Sequence, residues 1–140
     1  MANDAKVIEW VLSGPKKLAV VGLSNKPDRP SYEVSAAMQE RGHKIVPVTP
    51  KGDEILGEKV YRTLGEIPFP VDVVQVFRAP EYAMDVVRDI AKMGTKPRVL
   101  WMQEGVVNDE AVAEAERMGL EPIQDLCLYK EAVKVERRPG

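Results

Sequence analysis

The sequence is poor in the residues from which proteins build metal centres and disulfides. Its 140 residues include one cysteine, Cys127, and one histidine, His43. A single cysteine excludes an internal disulfide, and one histidine with one cysteine excludes a zinc site of the usual kinds. A chain with so little cysteine is expected in a reducing, cytoplasmic location.

Long apolar runs and an excess of one charge are lacking too. No run approaches the roughly 20 apolar residues of a membrane span, and the first ten residues lack the basic start and apolar core of a signal peptide. The formal net charge is −2, whereas a general nucleic-acid or membrane surface needs a basic excess. We therefore expect no nucleic-acid and no membrane partner. Asparagine is scarce and the charges are largely Glu, Lys and Arg, which leans toward a thermophile.

The sequence does contain five short runs rich in β-branched residues, separated by stretches with helical spacing. The runs at 17–22, 44–48, 71–77, 98–102 and 120–123 are predicted as strands. Helices are predicted at about 3–13, near 32–39, from Pro80 through Ala91, and from an N-cap at Asn108 to Gly119. This alternation predicts an α/β, Rossmann-like three-layer domain with a mostly parallel five-stranded sheet. Residues 1–140 are expected to form one domain with a loose tail at about 135–140.

The loop after the first predicted strand, residues 22–31, is typical of an anion site. Ligands of open parallel sheets bind at the carboxyl ends of the strands, where this loop is expected to lie. Gly22 permits a close backbone approach, Lys26 and Arg29 supply charge, and the following helix presents free N–H groups. A polar connecting loop without a ligand is the alternative. The candidate contacts are Gly22, Ser24, Asn25, Lys26, Arg29 and Ser31.

The loop after the second predicted strand favours a phosphorylated ribose. NAD-binding Rossmann domains usually place an acid there to bind the ribose diol. In this chain Val48, Thr49, Pro50 and Lys51 occupy the position, so a hydroxyl and a lysine replace the acid. That combination suits the 3′-phosphate of coenzyme A or the 2′-phosphate of NADP, with a solvated surface lysine as the alternative.

Short motifs follow one another in order along nearly the whole chain. They are V-V-G-L-S (20–24), R-P-S-Y-E-V (29–34), G-H-K-I-V-P-V-T-P (42–50), I-L-G-E-K-V-Y-R-T-L (55–64), I-P (67–68), V-F-R (76–78), W-M-Q-E-G-V (101–106) and D-L-C (125–127). Together they resemble the CoA-binding domain family. The chain is similar to the amino-terminal domain of the succinyl-CoA synthetase α subunit, and more closely to the small stand-alone bacterial members.

This resemblance implies a Rossmann-like fold that binds coenzyme A or acyl-CoA across the carboxyl ends of the strands. The family often has Asn where Thr49 stands, so this chain departs from the pattern there. The implied contacts are Gly22, Ser24 and Lys26 to the pyrophosphate, Thr49, Pro50 and Lys51 to the ribose 3′-phosphate and adenine, Phe77, Arg78 and Ala79 along the adenine or pantetheine path, and Gln103, Glu104 and Gly105 beside the pantetheine arm.

The parts expected of a complete catalyst are missing from the sequence. Full CoA ligases, by the resemblance, transfer a phosphoryl group through a histidine beyond the CoA-binding domain. His43 precedes the second predicted strand, at the end away from the site, so we expect a turn or surface residue. Cys127, near the end of the last predicted strand, is expected either to pack as a small apolar residue or to bring a thiol near the ligand.

We therefore expect a CoA- or acyl-CoA-binding protein without a complete catalytic apparatus of its own. An NADP-binding, reductase-like module is the first alternative, and an interaction protein that retains the fold without a ligand is the second. A protein partner and the oligomeric state are left open by the sequence.

Overall fold

Helices and strands alternate through residues 2–139, which the computed structural model of the protein describes. The helices are α1 (Ala5–Leu12), α2 (Pro30–Glu40), α3 (Ala83–Ala91), α4 (Asp109–Arg117) and α5 (Leu128–Glu136). The strands are β1 (Lys17–Val21), β2 (Lys44–Val48), β3 (Glu54–Ile55), β4 (Glu58–Lys59), β5 (Val73–Val76), β6 (Val99–Met102) and β7 (Glu121–Ile123). Short 3-10 helices span Leu64–Glu66 and Pro80–Tyr82. Within residues 2–139 no helix is both long and apolar enough to cross a membrane.

The main sheet has five strands in the order β2-β1-β5-β6-β7, and every neighbouring pair is parallel. The connection from β1 leads to β2 on one side, whereas the chain returns to β5 on the other side of β1. A crevice therefore opens between the carboxyl ends of β1 and β5, where open α/β sheets bind their ligands. The predicted Rossmann-like α/β fold with a mostly parallel five-stranded sheet is confirmed.

Two layers of helices cover the sheet, because alternate strand residues point to opposite faces. Ala19 and Val21 of β1 pack on the side of α3 and α4. Leu18 and Val20 pack on the side of α1, α2 and α5. Both faces are buried, which explains why β1, β5 and β6 read as nearly continuous apolar runs rather than alternating ones.

One pair of strands and one helix were missed by the sequence prediction. The antiparallel pair of β3 and β4 turns through Leu56 and Gly57, whose φ angles are 55° and 76°. Helix α5 buries Leu128 and Ala132, one turn apart. Residues 135 and 136, at the start of the predicted loose tail at 135–140, lie in the last turn of α5. Gly140 lies outside the described residues.

Several predicted boundaries shift by a few residues. The first helix is capped by the Asp4 side chain, which accepts a hydrogen bond from the Lys6 N–H, and therefore begins at Ala5 rather than near residue 3. Pro80 begins a 3-10 turn that leads into α3. Ala91, predicted on the apolar stripe of that helix, is exposed at its last position. These differences leave the order of the elements unchanged.

Both edge strands of the sheet carry a proline, Pro47 in β2 and Pro122 in β7. The carbonyl of Pro47 accepts a hydrogen bond from the Tyr61 N–H at 2.9 Å, and the carbonyl of Pro122 accepts one from the Asn3 N–H at 3.0 Å. The backbone N and C=O of each proline point away from the neighbouring strand, so the missing N–H breaks no hydrogen bond within the sheet. Each proline carbonyl is instead bonded to another segment of the same chain.

Candidate functional site

A cavity of about 540 Å³ opens at the carboxyl ends of β1, β5 and β6. The 22–31 loop forms one wall, and the segments that follow β2, β5 and β6 form the others. The lining residues are Gly22, Leu23, Ser24, Asn25, Lys26, Arg29, Pro30, Ser31, Thr49, Lys51, Phe77, Arg78, Gln103, Glu104 and Val106. The cavity therefore lies at the crevice that the strand order creates.

The start of the 22–31 loop is held tightly between the neighbouring strands. Gly22 donates its N–H to the Val48 carbonyl at 2.9 Å and has a φ of 88°. A Cβ atom at this position would lie 2.5 Å from the Phe77 carbonyl oxygen. Since both the positive φ and the contact exclude a side chain, only glycine lets the loop leave β1 in this direction.

Two serines shape the rest of the loop. Ser31 is buried, and its hydroxyl oxygen accepts a hydrogen bond from the Ser24 N–H at 2.9 Å. The Ser24 hydroxyl oxygen in turn accepts one from the Lys26 N–H at 3.1 Å. These bonds fold the loop over the beginning of α2, so both serines organise the anion site predicted there.

The N-terminus of α2 faces this loop without a side-chain cap. Arg29 is the N-cap residue with extended backbone, Pro30 is the first helical residue, and in the described chain no side chain caps this end. Tyr32 and Glu33 donate their N–H groups to the Arg29 carbonyl at 3.0 Å, and Pro30 has no N–H. This end therefore attracts an anion mainly through the partial positive charge of the helix dipole. This end of α2, beside the cavity, suits an anionic group.

The charged residues around the cavity are mainly cationic. Lys26, Arg29 and Lys51 are exposed, and within residues 2–139 none forms an ion pair. The Arg78 guanidinium lies 4.4 Å from the centroid of the Tyr82 ring. The one lining carboxylate, Glu104, receives both its hydrogen bonds from the Lys130 ammonium, at 2.7 and 2.8 Å, and raises the pKa of Lys130. The cavity is thus electrostatically suited to a ligand with several negative charges.

A second cavity of about 360 Å³ adjoins the first on the side of α3. The two share Gly22, Thr49, Phe77 and Arg78, so they form one continuous cleft across the end of the sheet. Arg62 lines the second cavity and donates a hydrogen bond to the Thr49 carbonyl at 3.2 Å, which supports the segment after β2. The cleft therefore runs from the N-terminus of α2 to the side of α3.

Most of the residues predicted for the site lie in this cleft. The first cavity takes Gly22, Ser24, Asn25, Lys26, Arg29, Ser31, Thr49, Lys51, Phe77, Arg78, Gln103 and Glu104, and the second adds Val48 and Pro50. Three other predicted residues, Ala79, Gly105 and Cys127, line neither cavity.

These three residues are placed differently. Ala79 is exposed ahead of the 3-10 turn. Gly105 donates its N–H to the Asp125 carboxylate at 2.8 Å, which ties the end of β6 to the segment after β7. Cys127 is a buried free cysteine at the N-cap of α5 and packs in the apolar cluster on that face. The thiol is therefore part of the core rather than of the cavity lining.

His43 lies where the sequence predicted, before β2 and at the end of the sheet away from the cleft. It is buried rather than on the surface, with 6% of its area exposed. Its Nδ1 accepts a hydrogen bond from the Lys16 N–H at 3.0 Å, which requires an unprotonated Nδ1. Burial lowers the pKa of His43, and the Lys16 charge acts in the same direction.

Some lining residues were missed by the sequence prediction. Leu23, Pro30 and Val106 line the first cavity, and Arg62, Thr63, Tyr82 and Asp85 line the second. Leu23 and Pro30 lie inside the predicted loop, so inclusion of its apolar members would have found them. Arg62 and Tyr82 approach from segments distant in sequence, which no local pattern reveals. Within residues 2–139 no three His, Cys, Asp or Glu side chains are grouped to hold a metal ion.

Comparison with known proteins gives relatives over most of the chain. An uncharacterized protein of Bacillus subtilis, YneT, is 43% identical over 129 residues, which are 91% of this chain and 94% of that protein. The α subunit of an ADP-forming acetate–CoA ligase II of Pyrococcus furiosus is 31% identical over 87 residues. That match covers 61% of this chain but 19% of the subunit, so the chain corresponds to a small part of the ligase.

Solved structures are also similar to this chain over most of its length. A hypothetical protein of Pyrococcus horikoshii has a TM-score of 0.87 at 33% identity, with 95% of this chain and 92% of that chain covered. A protein of Thermus thermophilus has a TM-score of 0.86 at 29% identity, covering 94% of this chain and 98% of that chain. The sequence model of the CoA binding domain matches residues 16–132, which include every residue that lines the cleft. The resemblance inferred from the ordered motifs is thereby confirmed, and this chain belongs to the CoA-binding domain family.

Proposed function

We propose that the cleft binds coenzyme A or an acyl-CoA, and that the chain is a binding module without a complete catalytic apparatus. The observation that carries the proposal is the group of three unpaired cations, Lys26, Arg29 and Lys51, around an uncapped helix N-terminus. Coenzyme A carries a pyrophosphate and a ribose 3′-phosphate, so it supplies several negative charges along one elongated molecule. Family membership supports coenzyme A among the ligands of this shape.

The pyrophosphate is assigned to the 22–31 loop and the beginning of α2. Gly22 has no side chain to obstruct a phosphate oxygen, and the dipole of α2 places partial positive charge beside it. Lys26 and Arg29 flank this position and supply charge-assisted hydrogen bonds. Ser24, Asn25 and Ser31 complete the loop.

The phosphorylated ribose is assigned to the segment after β2. Thr49 and Lys51 line the cavity there, without the strand-end acid that usually binds an unphosphorylated ribose diol. The nearest acid downstream, Asp53, is paired with Arg62 at 3.7 Å. The adenine is assigned to the adjoining second cavity beside Pro50, and the pantetheine arm to the side of Gln103 and Glu104.

The matched ligase supports this role by analogy, since the chain matches a fraction of a subunit named for a reaction of coenzyme A. His43 lies at the opposite end of the sheet and Cys127 packs in the core, so neither supplies a general base or a nucleophile to the cleft. The carboxylates that line the cleft are Glu104, which is bonded to Lys130, and Asp85 and Asp89 on the side of α3. A buried free cysteine accords with a reducing, cytoplasmic location.

Calorimetric titration with coenzyme A, acetyl-CoA, dephospho-CoA, NADP and NAD tests the proposal. We expect coenzyme A or acetyl-CoA to bind most tightly, with a Kd of the order of micromolar. Tighter binding of NADP than of either CoA ligand would favour the reductase-like alternative. Binding of none of the five would favour an interaction protein that has kept the fold without its ligand.

A further inference from the structure

Two buried glutamines lie side by side at the inner end of the cleft. Gln75 in β5 is fully buried, and Gln103, just after β6, has 5% of its area exposed. The Gln75 Nε2 donates a hydrogen bond to the Gln103 Oε1 at 3.1 Å. Of the two, only Gln103 lines the cavity. A polar pair in the middle of an otherwise apolar sheet face is uncommon, because each unmet hydrogen bond there costs free energy.

The backbone of α5 determines how the Gln103 amide is turned. The Leu128 N–H donates to the Gln103 Oε1 at 3.4 Å, and a backbone N–H only donates. The amide oxygen therefore faces α5 and Gln75, where it accepts from two donors. A reversed amide would place the Nε2 of Gln103 against the Leu128 N–H, donor against donor.

The amide nitrogen of Gln103 is left for the cavity. Within residues 2–139 it has no hydrogen-bond partner, and it is not among the buried unsatisfied side-chain atoms. The cavity lining combines the apolar Leu23 and Val106 with polar side chains, and the adjacent carboxylate Glu104 is already bonded to the Lys130 ammonium. An oriented neutral N–H2 group that faces a cavity is complementary to a carbonyl oxygen.

We propose that Gln103 binds a carbonyl oxygen of the ligand, either an amide of the pantetheine arm or the thioester of an acyl group, and that Gln75 is the residue that positions it. This inference rests on the proposed function, since coenzyme A supplies both kinds of carbonyl. Gln75 has its own Oε1 buried without a partner. A fully buried glutamine with an unmet acceptor destabilises the fold. We attribute its presence to the hydrogen bond by which it orients Gln103.

The test uses three ligands and three glutamine-to-methionine variants of the full chain. Coenzyme A and acetyl-CoA carry the pantetheine arm, whereas adenosine 3′,5′-bisphosphate keeps the adenine and the 3′-phosphate but has neither the arm nor a carbonyl. Gln103→Met removes the donor, and Gln75→Met removes the group that positions it. Gln39→Met is the matched control, because Gln39 also loses one hydrogen bond, to the Leu56 carbonyl, but does not line the cavity.

We expect Gln103→Met to weaken the arm-bearing ligands by roughly five- to tenfold, and to leave the bisphosphate within about twofold. If the affinities for coenzyme A and acetyl-CoA both fall, the bound carbonyl is a pantetheine amide. If only the affinity for acetyl-CoA falls, the bound carbonyl is the thioester. Gln75→Met should lower the affinity for the arm-bearing ligands, relative to the affinity for the bisphosphate, by roughly two- to fivefold. Gln39→Met should leave that ratio unchanged.

Equal weakening of all three ligands, or of none, by Gln103→Met overturns the inference. If Gln103→Met does not fold, Gln75→Met decides the matter, because affinities of both coenzyme A and acetyl-CoA that are unchanged relative to the bisphosphate then overturn the inference. Failure of the wild-type protein to bind any CoA ligand overturns the proposed function and this inference with it. The wild-type titration separates that outcome from an effect of the variants.

Discussion

Gly22 and the Phe77 carbonyl approach so closely that a Cβ atom on Gly22 would lie 2.5 Å from the carbonyl oxygen. The contact joins the end of β1 to the end of β5, the two strands between which the cleft opens. It also determines the course of the 22–31 loop, because Gly22 leaves the strand with a φ of 88°. A backbone contact thus determines where the proposed pyrophosphate site lies.

Gly22→Ala is expected to destabilise the protein more than Gly52→Ala does. Both residues have a positive φ, 88° and 84°, but a Cβ at Gly52 would meet nothing within 4 Å. Gly52→Ala should therefore lower the free energy of unfolding by about 1–2 kcal/mol, from backbone strain alone. Gly22→Ala should cost at least about twice that, because the carbonyl contact adds to the strain. Urea unfolding measures both, and equal losses would contradict the role given to this contact.

Lys26→Ala is expected to weaken coenzyme A and dephospho-CoA to the same extent, by roughly five- to tenfold. Lys26 is assigned to the pyrophosphate, which both ligands carry. Lys96→Ala is the matched control, since Lys96 is also exposed but lies before β6 at the other end of the sheet. Calorimetry gives the affinities, and the thermal unfolding midpoint should hardly change because Lys26 is exposed. Unchanged affinity would remove Lys26 from the site.

Lys51→Ala is expected to act only on the ligand with a 3′-phosphate. Wild-type protein should bind coenzyme A at least about tenfold more tightly than dephospho-CoA, a difference of ~1.4 kcal/mol. The variant should lose most of that preference while its affinity for dephospho-CoA stays near the wild-type value. If the wild-type protein bound the two ligands equally well, the role given to Lys51 would be wrong.

His43 is expected to make the fold less stable in mild acid. Burial lowers the pKa of His43 from the ordinary value of 6.5, and the neighbouring charges of Lys16 and Arg41 act in the same direction. Well above pH 6.5 the His43 ring is neutral in both the folded protein and the unfolded chain, so the contribution of His43 to the free energy of unfolding is fully present. As the pH falls below about 6.5, the unfolded chain binds the proton more readily, and the free energy of unfolding falls until the pH reaches the folded-state pKa.

His43→Asn tests this dependence, because an asparagine oxygen can accept the Lys16 N–H without titrating. Urea unfolding at a series of pH values from about 7 to 5 should show a shallower decline for the variant than for wild type. Other ionisable groups are common to both proteins and cancel in the comparison. Parallel curves would show that His43 is protonated as easily in the folded protein as in the unfolded chain.

The alternation of strands and helices was predictable because each buried strand leaves a strong local signal. Val73–Val76 and Val99–Met102 are fully apolar or nearly so, and glycine closes the helix-to-strand turns at Gly42 and Gly119. The β3–β4 pair has two residues per strand and turns through Leu56-Gly57 instead of the usual Asn-Gly. Two residues per strand are too few to show the apolar–polar alternation by which a strand is predicted from sequence.

Helix α5 could have been found, whereas the glutamine pair could not. Leu128 and Ala132 stand four residues apart with Glu131 and Lys134 between and after them, a spacing typical of an amphipathic helix. The sequence prediction assigned no helix beyond Gly119 and so missed this spacing. Gln75 and Gln103, by contrast, meet only because β5 and β6 are neighbours, and strand order does not show in local sequence.

The two edge prolines have a consequence for how this protein meets others. A partner that adds a strand to a sheet needs a row of free N–H and C=O groups along the edge. At Pro47 and Pro122 the donor does not exist, and the acceptor is already engaged by Tyr61 and Asn3. Neither edge of the main sheet therefore offers another β-strand a continuous row of free hydrogen-bonding groups. A strand added from another chain would have to displace the Tyr61 or the Asn3 segment of this chain.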